Sequence, residues 1–265
     1  MEQLGANRPL TARSVIASTL LGTHPPQLPS RLLVRSGELF GISEGTVRTA
    51  ISRMLAAGEL EAVDGAYRLA GALLERQARQ DASRRGDRRR WTGSWELAVV
   101  PGGERRDAAT RGQLREAMRR LHLAELREGV WLRPDNLHPR RAPEAAAIVA
   151  EQCIRFSARP GGDPGALAAR LWDLAGWAAT AAQLERELRR HLPRLERGDA
   201  SQLRDAFVVS AAVLRHLLAD PLLPEELLPA RWPGERLRAT YERFDAAFKS
   251  TWRTHFRAQG SATSA

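Results

Sequence analysis

The stretch GISEGTVRTAISRMLAA, residues 41–57, decides how this chain is read. Val47, Ile51, Met54 and Leu55 fall at i, i+4, i+7 and i+8, one apolar stripe of a helix. Ser43 is placed to cap that helix, and Glu44 puts an acid beside the positive end of its dipole. The opposite face carries Thr46, Arg48, Thr49, Ser52 and Arg53, hydroxyls and guanidiniums that suit base edges and phosphate oxygens. Upstream, Arg31 to Phe40 reads as a second amphipathic helix, with Gly41 making the tight turn between the two. Downstream, Glu59 to Leu69 alternates as two strands around Asp64-Gly65, a two-residue hairpin signal. Helix, turn, helix and hairpin in that order is the layout of a winged helix-turn-helix.

Outward from this segment, residues 1–12 read as an arm and Ser14 to Leu21 as a short helix capped by Ser14. Pro29-Ser30 opens the second helix, and Ala70 to about Ser83 is a further, arginine-rich one. Residues 76–90 hold seven arginines against Asp81 and Asp87, a run that reads as a solvated linker or as a track for a phosphate backbone.

A second unit starts at Trp91. SWELAVV at 94–100 reads as a buried strand, Asp107 to His122 as a helix, and Ala124–Arg127 with Val130–Arg133 as a hairpin about Glu128-Gly129. Pro143–Glu151 is an alanine-rich helix and Gln152–Ala158 a last strand, giving the βαββαβ order of a ferredoxin-like unit. Arg133-Pro134-Asp135-Asn136 reads as turn chemistry. GGDPG at 161–165 marks a boundary, after which the pattern is helical. Asp163-Pro164 starts a long helix to Leu192, another runs from Asp199 to Asp220, and the last from Glu235 to about Phe256, with SATSA fraying at the end. The expected architecture is α+β multidomain: a winged helix-turn-helix (1–83), a basic linker (84–93), a ferredoxin-like middle domain (94–160) and a helical C-terminal domain (161–265).

A net charge of +10 and a pI near 11.2 call for a polyanionic partner. Of 41 basic residues only Lys249 is lysine, a skew that also fits a GC-rich coding bias. The single Cys153 excludes an intrachain disulfide and a cysteine-based zinc finger and suits a cytoplasmic protein. No run approaches the roughly 18 apolar residues of a membrane span, so no membrane partner is expected.

Catalytic readings fare poorly. Gly41 to Gly45 matches G-x-S-x-G, but that elbow needs a strand before its serine, and here a helix precedes Ser43. None of the six histidines pairs at i,i+4, and no phosphate-cradling loop is present. Trp172 and Trp177, five apart on one helix, read as core. Small metal-dependent nucleases use the ferredoxin-like fold, yet the unit offers only Glu96 on its first strand, with Asp107 and Asp135 on loops. No catalytic residue, metal or cofactor is expected, and the chain reads as a non-enzyme. A metal-dependent nuclease and a non-enzymatic interaction scaffold stay as the alternatives.

FGISEGTVRTAISRMLAAGEL at 40–60 resembles the recognition segment of the PaaX family, transcriptional repressors of phenylacetate degradation. GVWLRPDNL at 129–137 resembles a signature of that family's middle domain, and DPLLPEELLPARWPG at 220–234 is similar to its most distinctive motif. The resemblance runs in one order from residue 14 to about 256. It implies a homodimer that binds double-stranded operator DNA and is released by an aryl- or acyl-CoA thioester such as phenylacetyl-CoA. On that reading Arg48, Thr49, Ser52 and Arg53 face base edges. Ser43 and Thr46 contact phosphate at the helix start, and Tyr67 and Arg68 on the wing reach the backbone or minor groove.

Overall fold

The computed structural model describes residues 10–102 and 106–262, so the expected arm lies outside the described residues as far as residue 9. Residues 263–265 of the C-terminal tail lie outside them too, whereas Ser261 and Ala262 are helical. Among the described residues the protein is mixed α+β, with ten α-helices and two small sheets. They group into two compact units. The first holds the chain up to Arg84, Thr180–Leu218 and the segment from Gly234 on; the second holds Arg85–Ala179 and Ala219–Pro233.

The first unit opens with α1 (Ala12–Leu21), and its cap is Thr11 rather than Ser14. Thr11 is extended, and its hydroxyl accepts from the Ser14 amide while the Ser14 hydroxyl accepts from the Thr11 amide. This reciprocal box places Ser14 at the third helical position. The three-residue strand β1 (Gln27–Pro29), which no sequence pattern announced, precedes α2 (Ser30–Glu38). After the Gly41 turn (φ +70°) come α3 (Glu44–Ala56), β2 (Leu60–Val63) and β3 (Ala66–Leu69), then α4 (Gly71–Arg85). Asp64 and Gly65 both take positive φ, 46° and 76°, as a two-residue hairpin of type I′ requires. β1 pairs antiparallel with β3, so the hairpin is the larger part of a three-stranded sheet of order β1-β3-β2.

The stripe of α3 is the centre of this part of the core. Val47, Ile51 and Met54 are buried against Ile16, Leu20, Leu33, Leu60 and Leu69. Burial of three such side chains contributes about 5–8 kcal/mol before entropy is counted. α2 approaches α3 at Gly37, where a β-carbon would run into Cγ2 of Val47.

The second unit contains β4 (Trp95–Val99), α5 (Ala108–Arg120), β5 (Ala124–Arg127), β6 (Val130–Pro134), α6 (Pro143–Gln152), β7 (Ile154–Ala158) and α7 (Pro164–Leu171). Its sheet has the order β5-β6-β4-β7, antiparallel throughout. Alternation along β4 sends Ala98 to one face, against Leu114 and Met118 of α5 and Val149 of α6. It sends Trp95 to the other, against Ala168 of α7, Leu223 and Leu227.

Residues 133–136 are not a turn on the surface. Arg133 is 1% exposed and Asn136 0%. The Arg133 guanidinium donates to the carbonyls of Pro134, Leu121 and Leu222 and, at 2.7 Å, to Oδ1 of Asn136. Asn136 Nδ2 donates to the same Leu222 carbonyl at 2.9 Å. Leu222 sits at φ +52°, a region that costs a branched side chain energy, and Oδ1 of Asp220 holds its amide at 2.9 Å. The two segments GVWLRPDNL and DPLLPEELLPARWPG are therefore joined through one buried polar cluster. Burial, opposed by the nearby Glu96 and Asp135 and assisted by Arg141, lowers the Arg133 pKa to about 9.

The single long helix expected from Asp163 to Leu192 is two. α7 is capped by Asp163 as anticipated, but Trp172 is extended and Oδ1 of Asp173 accepts from the Gly176 amide. A second cap thus restarts the chain as α8 (Leu174–Glu196). Asp199 caps a 3₁₀ turn at Ala200–Gln202, followed by α9 (Leu203–Leu218) and, after the 220–233 connection, α10 (Gly234–Ala262).

Candidate nucleic-acid interface

With Val47, Ile51 and Met54 turned inward, α3 leaves Ser43, Thr46, Arg48, Thr49, Ser52 and Arg53 exposed. Ser43 caps the helix: its Oγ accepts from the Thr46 amide at 3.4 Å and lies 2.9 Å from the Thr46 hydroxyl. That role, together with the helix before it, disposes of the nucleophile reading. The Thr49 and Ser52 hydroxyls donate back to the carbonyls of Gly45 and Arg48, at 2.9 and 3.1 Å. Their oxygens keep lone pairs for an incoming donor.

The two arginines of this face differ. Arg48 is held by Glu44 one turn earlier, with Nε 2.7 Å from Oε1. Arg53 makes no ion pair among the described residues and stands in water. Both side chains of the Arg48 pair are more than half exposed, so the pair is weak and exchangeable.

Ser43, Thr46, Thr49 and Arg53 share an open groove of about 700 Å³ with Thr11, Ala12 and Arg13. The starts of α1 and α3 meet there, and helix starts direct free amides and positive partial charge at an anion. Arg13 is tied to Glu59, whose hydrogen bond raises its pKa above the ordinary arginine value. The sequence reading missed the start of α1, although Thr11 with Ser14 three residues on was the available signal. Arg48 and Ser52 lie one turn apart outside the groove. On β3, Arg68 pairs with Glu61 at 2.7 Å, while Tyr67 is half-buried against the core of the first unit.

Part of the arginine run of 76–90 is structural. Arg84 donates to Glu242 and Asp245, each at 2.8 Å, beneath a cation–π contact of 5.2 Å with Tyr241. Burial opposes its charge, but the two carboxylates win and its pKa is raised. Arg85 pairs with Asp87, Arg88 donates to the Leu223 carbonyl, and Arg89 to Asp135 and the Leu137 carbonyl. Arg84 and Arg88 are thereby committed to the fold, whereas the Arg85–Asp87 pair is as exposed as that of Arg48 and as exchangeable.

In the second unit, Glu96 and Asp135 face one cavity, each already paired, with Arg155 and Arg89. Arg120, Arg133 and Arg141 line the same cavity. Cations in that number repel a divalent metal. Among the described residues no group of three or more His, Cys, Asp or Glu is placed to hold one.

Comparison with known proteins gives one consistent result. Residues 11–73 match the family described as PaaX-like protein, residues 88–164 the PaaX protein central Cas2-like domain, and residues 172–258 the PaaX-like protein C-terminal domain. Uncharacterized protein Rv0674 from Mycobacterium tuberculosis, a solved structure, is 41% identical, with 92% of this chain and 98% of that chain covered and a TM-score of 0.69. No curated protein matches. These matches are to a family of transcription regulators that bind DNA. The chain belongs to the PaaX family. Among the described residues no helix is long and apolar enough to cross a membrane.

Proposed function

We propose that this protein is a sequence-specific repressor that binds double-stranded operator DNA as a homodimer, reading it with a winged helix-turn-helix. The observation that carries the reading is the exposed face of α3, whose apolar side is consumed by the core while Thr46, Thr49, Ser52, Arg48 and Arg53 stay in water. Arg53, with no carboxylate partner among the described residues, is assigned to a guanine edge; Arg48 joins it once Glu44 lets go. Thr49 and Ser52 take neighbouring base edges, and Ser43 and Thr46, with the amides at the starts of α1 and α3, take phosphates. Tyr67 and Arg68 belong to the wing, where Arg68 is the residue exposed to the backbone.

The division into a DNA-binding part (1–83), a basic linker (84–93), a ferredoxin-like part (94–160) and a helical part (161–265) is included in the proposal. The strand order β5-β6-β4-β7, with α5 and α6 covering one face, supports the third segment. A CoA thioester of an aryl or acyl acid is the proposed releasing effector, in a cytoplasmic setting that the lone, buried Cys153 suits. The nuclease alternative loses ground because Glu96 and Asp135 are neutralised by arginines.

The test is a mobility shift on the sequence selected by the full chain from a random duplex pool, beside a scrambled duplex. Arg53→Ala is expected to cost about 1–3 kcal/mol on the selected sequence alone. Glu44→Gln, which removes a negative charge and frees Arg48, is expected to tighten binding to both duplexes. Equal losses on both duplexes from Arg53→Ala, or no sequence enrichment at all, defeat the reading.

A further inference from the structure

Four helices of the first unit surround a groove that the DNA-binding role does not use. α1 ends at its rim, α4 contributes Arg76 and Gln80, α9 Phe207 and Arg215, and α10 Phe248 and Trp252. Three features of it point to a ligand.

The first is charge. Arg76 is half-buried, and burial with the neighbouring Arg215, Arg79 and Arg13 lowers its pKa. Among the described residues neither Arg76 nor Arg215 meets a carboxylate. The acid at the groove, Asp245, is already bound by Arg84 and by Lys249, each at 2.8 Å. Arg76 is half-buried and Arg215 exposed, and both line the groove, so they offer it guanidinium donors that no carboxylate occupies among the described residues. The second is a buried acceptor. Gln80 is 5% exposed, and among the described residues its Oε1 has no hydrogen-bond donor. A buried acceptor of this kind is costly unless something arrives to donate to it. The third is an aromatic wall: Phe248 and Trp252 stand one turn apart with ring centroids 5.5 Å from each other, and Phe207 lines the groove beside them. The enclosed space is about 110 Å³. That is less than the roughly 150 Å³ of a dry cavity that holds benzene, so a planar group enters it in part and the rest of a larger molecule stays at its mouth.

We propose that this groove is a binding site for an organic anion bearing one planar apolar group. The ring packs against Phe207, Phe248 and Trp252, the anionic group lies between Arg76 and Arg215, and a donor of the ligand meets Gln80 Oε1. Such a ligand fastens α4, which directly follows the β2–β3 hairpin, to α9 and α10. The step from occupancy to release of DNA rests on the repressor reading above; the binding itself does not.

Carboxylates and phosphate-bearing thioesters both satisfy this chemistry, so the experiment separates them. Full-length protein is titrated calorimetrically with phenylacetate, phenylacetyl-CoA and free CoA. The same titrations are run on Arg76→Gln, Arg215→Gln and Arg204→Gln, the last an exposed arginine of α9 outside the groove. At least one ring-bearing probe is expected to bind, at least tenfold more weakly to the two groove variants and unchanged to Arg204→Gln. Free CoA, which lacks the phenyl group and keeps only its polar adenine ring, is expected to bind more weakly than its thioester. The thermal midpoint of unliganded Arg76→Gln is expected at or above that of the parent, since a like-charge repulsion is removed; this separates lost binding from lost folding. Failure of every probe to bind, or equal binding to all four proteins, overturns the site, and intact shifting of the selected duplex would then leave the repressor reading standing. Groove-dependent binding by a protein that selects no DNA sequence overturns the repressor reading and leaves the site.

Discussion

Replacing Asn136 with alanine removes two interactions from a place that water does not reach. Nδ2 no longer donates to the Leu222 carbonyl, a neutral bond of 2.9 Å whose net value is about 0.5–1.5 kcal/mol. Oδ1 no longer accepts from the Arg133 guanidinium at 2.7 Å, and a bond to a charged group is worth about 1.5–3 kcal/mol. Arg133 is 1% exposed, so the vacated N–H finds no water in exchange. The expected destabilisation is about 2–4 kcal/mol. The second unit holds Trp91, Trp95, Trp131, Trp172, Trp177 and Trp232, and only Trp252 lies in the first, so tryptophan emission in a Trp252→Phe background reports on the second unit alone. Urea unfolding followed this way gives the loss directly. Arg133→Met with Asn136→Ala completes a double-mutant cycle. Once the buried charge is gone the missing acceptor matters less, and the two single losses are expected to exceed the double by at least about 1.5 kcal/mol. Strict additivity, or a loss from Asn136→Ala below about 1 kcal/mol, refutes the account of the cluster.

Two further outcomes follow from the geometry. Gly37→Ala drives a methyl into Cγ2 of the fully buried Val47, and is expected to lower stability by about 1–2 kcal/mol despite alanine's better helix propensity. Adding Val47→Ala is expected to return part of that loss in circular-dichroism melts; a purely additive double refutes the contact. His122, pushed down to about 3 by burial and then by Arg133 and Arg141, is neutral in the folded protein. Its unfolded form takes up a proton near pH 6.5, so stability is full above that pH and falls as pH drops from about 6.5 toward 3, by at most about 1.4 kcal/mol per unit. His122→Asn, which tolerates the local φ of +57°, is expected to flatten that slope in the tryptophan-detected urea midpoint. An unchanged slope overturns the assignment.

What was legible in the sequence was local. The α3 stripe, the Ser43 cap, the Asp64-Gly65 hairpin and the Asp163-Pro164 helix start are each written within a few residues, and the structure has each of them. β1 went unseen because three residues ending in proline carry no period; only pairing with β3, some forty residues on, makes them a strand. The break at Trp172-Asp173 hid inside a continuous apolar period, since a cap interrupts hydrogen bonding without interrupting hydrophobicity. Arg133 was misread because arginine beside Pro-Asp-Asn is ordinary turn composition. Its burial depends on Leu222, 89 residues away. The Arg76–Gln80 groove was illegible for the same reason, its walls coming from four helices. Among the site residues, exposure of the α3 face followed from its periodicity, whereas the Glu44–Arg48 pair and the meeting of the two helix starts needed coordinates.

The first unit is assembled from segments that lie far apart in the chain. The Arg35 guanidinium donates to the Phe256 carbonyl across 221 positions, the Phe40 ring meets that of Phe207 at a tilt with centroids 5.0 Å apart, and Arg238 donates to the Ser83 carbonyl. During synthesis α1 to α4 leave the ribosome well before their partners on α9 and α10. At about 5–20 residues per second, α3 stays for roughly ten to forty seconds without the packing that completes its unit. Contacts of such sequence separation also slow folding, because the loop must close before anything rewards it. A premature stop near the C-terminus therefore does more than delete a distal helix: it leaves Arg84 and Ser83 facing absent partners and exposes the apolar flank of the N-terminal segment.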